Sequence, residues 1–308
     1  NGGVNNSGTV NWNIGTIPGN GGSASIQLTL QVRPDLPNGT NLTNTIGVTY
    51  TVGGNTFTIT SNSPYAAVGV IRGFSISPTT LSAAEETDDT LAYAFTIFNT
   101  GNSSDIGELS YSSTRGYSWT FFKDVNNNSI LDNGDTQLHD TQGSLTGIDI
   151  DTLAAADSIK ILARLIVPVV SSDQIQDVTT FTVKSNADQS KFQSAVGTTT
   201  IGKAVLSVVR SVTPSGNRPP GDEMTFTVTY QNVGHGKAYN VVLTETEPDS
   251  MSYVANSVTI NNIAKTDAAD GDEVTVTTND GRKVITINVG TLNSLSTEAT
   301  IKYRATIH

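Results

Sequence analysis

The chain has 308 residues, 17 Lys plus Arg against 28 Asp plus Glu, a formal net charge of −11 and no Cys. That length fits two or three domains, and the acidic balance speaks against nucleic acid, whose binding proteins neutralise phosphates with Lys and Arg. The absence of Cys excludes disulfides and thiolate chemistry, no apolar run is long enough to span a membrane, and 36% apolar residues in alternating patterns speak against disorder. Residue 1 is Asn, which points to a processed product or an excerpt, with any signal peptide already lost.

In chain order, Ser25–Val32 sets Ile26, Leu28, Leu30 and Val32 on one face, the period-2 pattern of a half-buried strand. Phe57–Thr60, Met224–Tyr230 and Lys283–Val289 alternate in the same way, with Thr on the outward positions. Thr79–Thr87, small and acidic residues behind Pro78, is read as a loop or one short turn. Turn chemistry punctuates the runs at Pro18-Gly19, Pro37-Asn38-Gly39, Gly53-Gly54-Asn55 and Pro219-Pro220-Gly221-Asp222. Asn279-Asp280-Gly281 between two alternating runs predicts a hairpin tip. Short strands with turns between them predict an all-β chain of tandem immunoglobulin-like antiparallel β-sandwiches in an elongated array.

Self-comparison finds a repeat. A (G/D)-T-(I/L) step followed by an alternating strand occurs at Gly15-Thr16-Ile17, Asp151-Thr152-Leu153 and Gly290-Thr291-Leu292, spaced by 136 and 139 residues. A strand ending in Asn-x-Gly recurs at Asn99 and Asn232, 133 apart, and Ala-Val-Gly at Ala67 and Ala195, 128 apart. The order of these elements divides the chain into 1–70, the C-terminal half of a repeat; 71–202, a complete domain; and 203–308, a domain lacking the closing strands. Two explanations stand for the partial ends. The chain is cut from a longer array or is stable with shortened domains, or residues 1–70 of one subunit complete residues 203–308 of the next by strand addition. The step present in both partial domains makes the second arrangement redundant by one strand.

Pro220 to Gly234, Ala238 to Pro248, Met251-Ser252-Tyr253-Val254 and Val289-Gly290-Thr291-Leu292 resemble, in order, the conserved repeat domain (domain of unknown function eleven) of bacterial and archaeal surface proteins. Leu42 to Val48 resembles that family's closing strand. The likeness covers 205–308 well and 11–70 fairly, and 71–202 departs from it with an insertion around 111–146. The resemblance implies an immunoglobulin-like fold in arrays on cell surfaces, and it transfers no catalytic residue.

The insertion holds the sharpest motif, Asp124-Val125-Asn126-Asn127-Asn128-Ser129-Ile130-Leu131-Asp132-Asn133-Gly134-Asp135. Oxygen side chains at positions one, three, five, nine and twelve match the spacing by which a loop wraps one Ca²⁺, a hard cation that takes roughly six to eight oxygens. The expected ligands are Asp124, Asn126, Asn128, Asp132 and Asp135, with Ile130 through its carbonyl. Ser129 where Gly is usual, and Asp135 where a bidentate Glu is usual, predict an affinity in the extracellular range of about 10⁻⁴ to 10⁻³ M. An ion-free Asn/Asp-rich turn is the alternative.

The acidic groups Glu85–Asp89, Asp149/Asp151 and Asp267/Asp270/Asp272/Glu273 read as solubilising loops, although paired carboxylates also serve glycosidases. His139, His235 and His308 stand in no nucleophile motif. Trp12, Trp119, Tyr111 and Tyr117 read as packing rather than a sugar platform. The expected protein is non-enzymatic: a surface-layer, fibre or pilus-like filament, or stalk component of the prokaryotic cell exterior, stiffened by Ca²⁺ and self-associating through identical subunits or neighbouring repeats. It has no membrane span, no nucleic-acid partner and a potential cell-wall or glycan contact. The alternatives are an adhesin or glycan-binding segment and a spacer of a secreted hydrolase.

Overall fold

The structure, a computed structural model, describes residues 3–141 and 146–308, and among them every regular element is a strand. The chain separates into a unit of Asn1–Val68 and a unit of Gly69–His308.

The first unit holds β1 (Val4–Asn6), β2 (Thr9–Asn11), β3 (Asn41–Thr43), β4 (Gly47–Val52), β5 (Asn55–Thr60) and β6 (Tyr65–Ala67). Its pairs are β1–β2, β4–β5 and β3–β6. The last two make one long interrupted hairpin, turned at Gly53 and Gly54, both at positive φ (57° and 82°) as a tight two-residue turn demands. Val48 faces Ile59 and Tyr50 faces Phe57 on one side, while Thr49 faces Thr58 on the other. The apolar side is exposed. The strand expected at Ser25–Val32 is absent, and Ile26, Leu28, Leu30 and Val32 lie exposed. Alternation marks what a strand would bury, but a strand also needs a ladder partner for its backbone groups, and among the described residues no strand bonds to this segment.

The second unit contains two sandwiches in succession. The first is built from β7 (Phe74–Ser77), β8 (Thr80–Glu86), β9 (Thr90–Asn99), β10 (Gly107–Ser113), β11 (Trp119–Lys123), β12 (Thr136–Gln137), β13 (Ile148–Asp149), β14 (Ser158–Ile166), β15 (Ile175–Ser185) and β16 (Phe192–Gly202). Its sheets run β13-β10-β15-β16-β8 and β12-β11-β14-β9-β7. Phe95, Ile97, Leu109, Phe121, Ile161 and Phe181 fill the space between them. Trp119 stacks on Tyr93 (centroids 5.5 Å apart) and meets Phe181 edge-on at 5.0 Å. Since β11 is a core strand, the departure from the repeat pattern begins after Lys123, not at Tyr111.

The reading of Thr79–Thr87 as a loop is corrected. Thr80–Glu86 is β8, and it pairs in parallel with β16, the one parallel ladder among the described residues of the sandwich. Only Leu81 and Ala83 pack on the core, so the run carries too little apolar contrast for its alternation to stand out. Its order comes from the ladder with β16.

The second sandwich holds β17 (Leu206–Thr213), β18 (Glu223–Asn232), β19 (Ala238–Thr246), β20 (Met251–Tyr253), β21 (Thr259–Ile260), β22 (Ile263–Ala264), β23 (Val274–Asn279), β24 (Arg282–Leu292) and β25 (Ala299–Ile307). One sheet runs β17-β18-β25-β21-β22, with β20 also on β25, and the other runs β19-β24-β23. Phe226 stacks on Tyr303 at 5.1 Å over Ile285, Ile287 and Ile301. Asp280 and Gly281, at φ 48° and 78°, turn the β23–β24 hairpin where the sequence placed its tip.

Two of the repeated motifs meet in space. Buried Asn99 donates its amide hydrogens to the carbonyls of Ser103 (2.9 Å), Leu153 (3.0 Å) and Ala154 (3.1 Å), and its oxygen accepts the Gly101 N–H (2.9 Å). Asn232 does the same with Gly236 (2.7 Å), Asn293 (3.0 Å) and Leu292 (3.4 Å), accepting the Gly234 N–H (3.0 Å). Each Asn-x-Gly thus ties the end of its strand to the (G/D)-T-(I/L) step of the same sandwich. A side chain with two donors and an acceptor satisfies several buried backbone groups at once.

The joint between the two sandwiches leaves no slack. A Cβ on Gly234 would lie 2.1 Å from the Lys203 carbonyl oxygen, and one on Gly236 would lie 2.8 Å from that of Gly202. Asp173 crosses the joint, accepting the N–H of Lys203 (2.8 Å) and lying 2.8 Å from the His235 ring. Burial would raise its pKa, but the N–H groups of Lys203 and His235 and the His235 ring outweigh that and hold it low. Gly236→Val is therefore expected to open the joint and speed tryptic cleavage after Lys203, with the core of each sandwich intact. An unchanged digestion rate would contradict a tight joint.

Candidate metal centre

The loop Asp124–Asp135 leaves the end of β11 and is anchored by its first residue. The Asp124 N–H bonds the Lys160 carbonyl of β14 at 3.0 Å, and its side chain is fully buried. From there the side-chain oxygens take up backbone N–H groups of the loop. Asp124 accepts the N–H groups of Asn128 (3.2 Å) and Ser129 (2.8 Å), Asn126 that of Asn128 (3.0 Å), and Asn128 that of Ile130 (2.7 Å). Asp132 accepts the Gly134 N–H at 2.8 Å, and Asp135 accepts those of Val125 (3.1 Å) and Asp132 (2.9 Å). Short Asx side chains bend the backbone this way because they can bond N–H groups a few residues on.

At the centre lies Asp132. One of its oxygens takes the side-chain amides of Asn126 (2.9 Å) and Asn128 (3.0 Å). These bonds, behind that of the Gly134 N–H, hold the Asp132 carboxyl below its ordinary pKa. The side chains of loop positions three, five and nine are thus in contact, with amide hydrogens turned toward the carboxylate. Each carboxylate has several acceptor sites, so its oxygens are not exhausted by these hydrogen bonds. The donor set is hard oxygen throughout, which suits Ca²⁺. Lys160 sits on the outside, its Nζ bonding the Asn127 carbonyl (2.8 Å) and Ser129 Oγ (3.1 Å) and standing 3.9 Å from Asp124. Ser129, where Gly is usual, has φ +63°, a left-handed conformation that favours Gly. Ile130 has an exposed side chain. Among the described residues no three His, Cys, Asp or Glu are gathered as an ion cage, so any ion here depends on the two Asn amides.

The other acidic groups are spent on local structure. Glu86 pairs with Lys237 across the joint at 3.3 Å, and Lys123 pairs with Asp151. Asp267 accepts the Tyr253 hydroxyl at 2.6 Å, and Asp270 that of Thr266 at 2.6 Å. One buried carboxyl had no signal in the sequence. Glu108 on β10 lies beside Asp149, and burial first, then the Asp149 charge, raises its pKa to about 7. Trp119 is buried and bonds Thr179 at 3.1 Å, so it offers no sugar a face. Tyr117 lines an open cleft with Thr120, Arg164, Ile166 and Pro168.

No family model matches the chain, and no curated protein matches it. The C-terminal domain of the AgI/II polypeptide BspA from Streptococcus agalactiae is 10% identical, with 77% of this chain and 91% of that one covered, at a TM-score of 0.35. A PapD-like domain of human CEP192 is 10% identical over 42% of this chain and 84% of that one, at 0.27. The secreted serine protease VesC from Vibrio cholerae is 14% identical over 77% of this chain, at 0.26, and the chain spans only 47% of its length. Likeness at this level decides nothing, and the all-β fold rests on the strand pairing above.

Proposed function

We propose that the chain is a non-catalytic structural component of the prokaryotic cell exterior, a piece of a fibre, stalk or surface layer made of tandem sandwiches. The observation that carries this reading is the tandem lock. Two successive sandwiches fasten the same motif to the same step through Asn99 and Asn232, and a joint without slack connects them. Repetition with stiff joints serves extension rather than chemistry. The resemblance of residues 205–308 to surface-protein repeats supports the location.

In this reading the Asp124–Asp135 loop binds Ca²⁺ and fastens the long β11–β14 connection. Binding to the folded state alone stabilises by mass action. With an affinity in the extracellular range, about 10 mM Ca²⁺ contributes about 1 to 3 kcal/mol. Calorimetry with Ca²⁺ against EDTA is expected to raise the melting temperature of the first sandwich by several degrees and leave the second unmoved. Asp124→Ala is expected to remove the difference. Identical melting curves with and without Ca²⁺ would sink the metal role and leave the array reading intact. A second reading, glycan or peptide capture, draws on the Tyr117–Arg164 cleft. Loss of binding on a glycan array in Tyr117→Ala would favour it.

A further inference from the structure

Most arginines of this acidic chain face a carboxylate. Arg33 pairs with Asp35, and Arg72, Arg210, Arg282 and Arg304 stand 3.9, 2.7, 2.9 and 2.8 Å from Asp105, Glu245, Asp249 and Glu223. Arg115 and Arg218 lack an acidic partner among the described residues, but both lie exposed outside the strands. Arg164 is different. It is half-buried in β14 and joins no ion pair among the described residues. Its Nε donates to Thr120 Oγ1 at 3.0 Å, and its Cζ lies 4.9 Å from the centre of the Phe122 ring. These two contacts fix the guanidinium and leave both Nη groups open to solvent. A planar fork held in this way loses little freedom when it grips a carboxylate through two parallel hydrogen bonds.

Arg164 stands at one end of an open cleft of about 390 Å³, which continues past Ile166 to Pro168 with Tyr117, Ser118 and Thr120 across from them. That volume lies at the low end of small-molecule sites, roughly 300 to 1,000 Å³. The wall that carries Tyr117 is fixed from beneath. Buried Asp177 accepts the hydroxyls of Ser113 (2.8 Å) and Thr114 (2.9 Å) and the Arg115 N–H (2.9 Å), and Ser113 Oγ accepts the Tyr117 N–H at 2.9 Å. The cleft is thus shaped before a ligand arrives, which removes an ordering cost from binding. Asp89, in the turn bonded to Val167, accepts the Thr90 N–H at 2.8 Å and forms no ion pair with Arg164.

We infer that this cleft binds the carboxylate of an acidic sugar, with Arg164 gripping the carboxylate and Tyr117, Ile166 and Pro168 receiving the apolar face of the ring. An aromatic wall with the hydroxyls of Ser118 and Thr120 suits a ring that is apolar on its face and hydroxylated at its rim. An extended peptide finds no ladder to join here. β11 lies between β12 and β14, and β14 between β11 and β9. The inference goes beyond the structural role proposed above, and it rests on the second reading, capture at this cleft, which it narrows to one class of ligand.

A matched pair of ligands tests it without altering the protein. Methyl glucuronide and methyl glucoside differ in one carboxylate, and a methyl sialoside and acetyl-trialanine extend the series. In saturation-transfer NMR and calorimetric titration of the full chain, at least one acidic sugar is expected to bind at least ~10-fold more tightly than methyl glucoside and than acetyl-trialanine. Arg164→Gln is expected to abolish that preference, Arg164→Lys to restore only part of it, and Tyr117→Ala to weaken acidic and neutral sugars alike. Chemical denaturation of Arg164→Gln is expected to superimpose on that of the unmodified chain, which separates a lost contact from a lost fold. Equal binding of methyl glucuronide and methyl glucoside would overturn the carboxylate assignment and leave capture at the cleft standing. Equal or tighter binding of acetyl-trialanine would overturn the sugar assignment. Binding of neither sugar class would remove both the inference and the reading beneath it.

Discussion

Asn232→Ala is expected to destabilise the C-terminal sandwich by about 3 to 5 kcal/mol, and Asn99→Ala the preceding one by a similar amount, in chemical denaturation. The size follows from what is orphaned rather than from volume. Asn232 is fully buried. Its oxygen accepts the N–H groups of Gly234 and Val205, each at 3.0 Å, and its amide serves the carbonyls of Gly236, Leu292 and Asn293. Ala leaves these groups without a partner, and each unmet buried polar group costs about 1 to 3 kcal/mol. Asn232→Asp is expected to be at least as harmful, since a carboxylate would face carbonyl oxygens. The effect is local, so each substitution lowers one transition. Losses below about 1 kcal/mol for both would mean that water replaces the side chain without difficulty.

The second large effect is in pH. Glu108 is buried beside Asp149, with no N–H or hydroxyl donor to its carboxylate among the described residues. Lys184 lies opposite it in the β10–β15 register but forms no ion pair with it. With its pKa raised from 4.5 to about 7 by burial and then by Asp149, the folded state holds a proton that the unfolded state releases. Between these values folding binds a proton, so stability falls as pH rises. It is greatest below pH 4.5 for this group and is lost progressively through about pH 7, on the order of 3 kcal/mol in all. The first sandwich is therefore expected to be more stable at pH 5.5 than at pH 8. Glu108→Gln is expected to flatten that dependence and raise stability above neutrality. An equally steep profile in Glu108→Gln would assign the titration elsewhere.

How much of this was legible in the sequence depends on where the determining contacts lie. The Asn-x-Gly and (G/D)-T-(I/L) spacings were visible because the two motifs bond to one another, so neither moves independently along the chain. β18 and β24 were legible because one face of each is buried beneath a sheet in the same sandwich. Ser25–Val32 carries an equally good pattern and forms no strand, because pairing partners are not written into a strand's own residues. Thr80–Glu86 is the reverse, a strand held by its neighbour with little apolar contrast. The Asp124–Asp135 loop could be read for its bends since Asx residues spaced along it bond backbone N–H groups a few residues away. Glu108 gave no sign, because a single acid in an alternating run is indistinguishable from a solvated one until the covering residues are known.

The parallel ladder between β8 and β16 has a mechanical consequence. β8 lies near the point where the chain enters the first sandwich, and β16 carries it out. The ladder runs from Val196↔Thr80 to Gly202↔Glu86. Tension on the chain pulls these neighbours past one another along their length, so the hydrogen bonds share the load in shear and fail together. Antiparallel strands pulled apart from a common end would unzip one bond at a time. The first sandwich is therefore expected to resist tension along the chain until this ladder breaks as a unit, which single-molecule stretching would record as one high-force event.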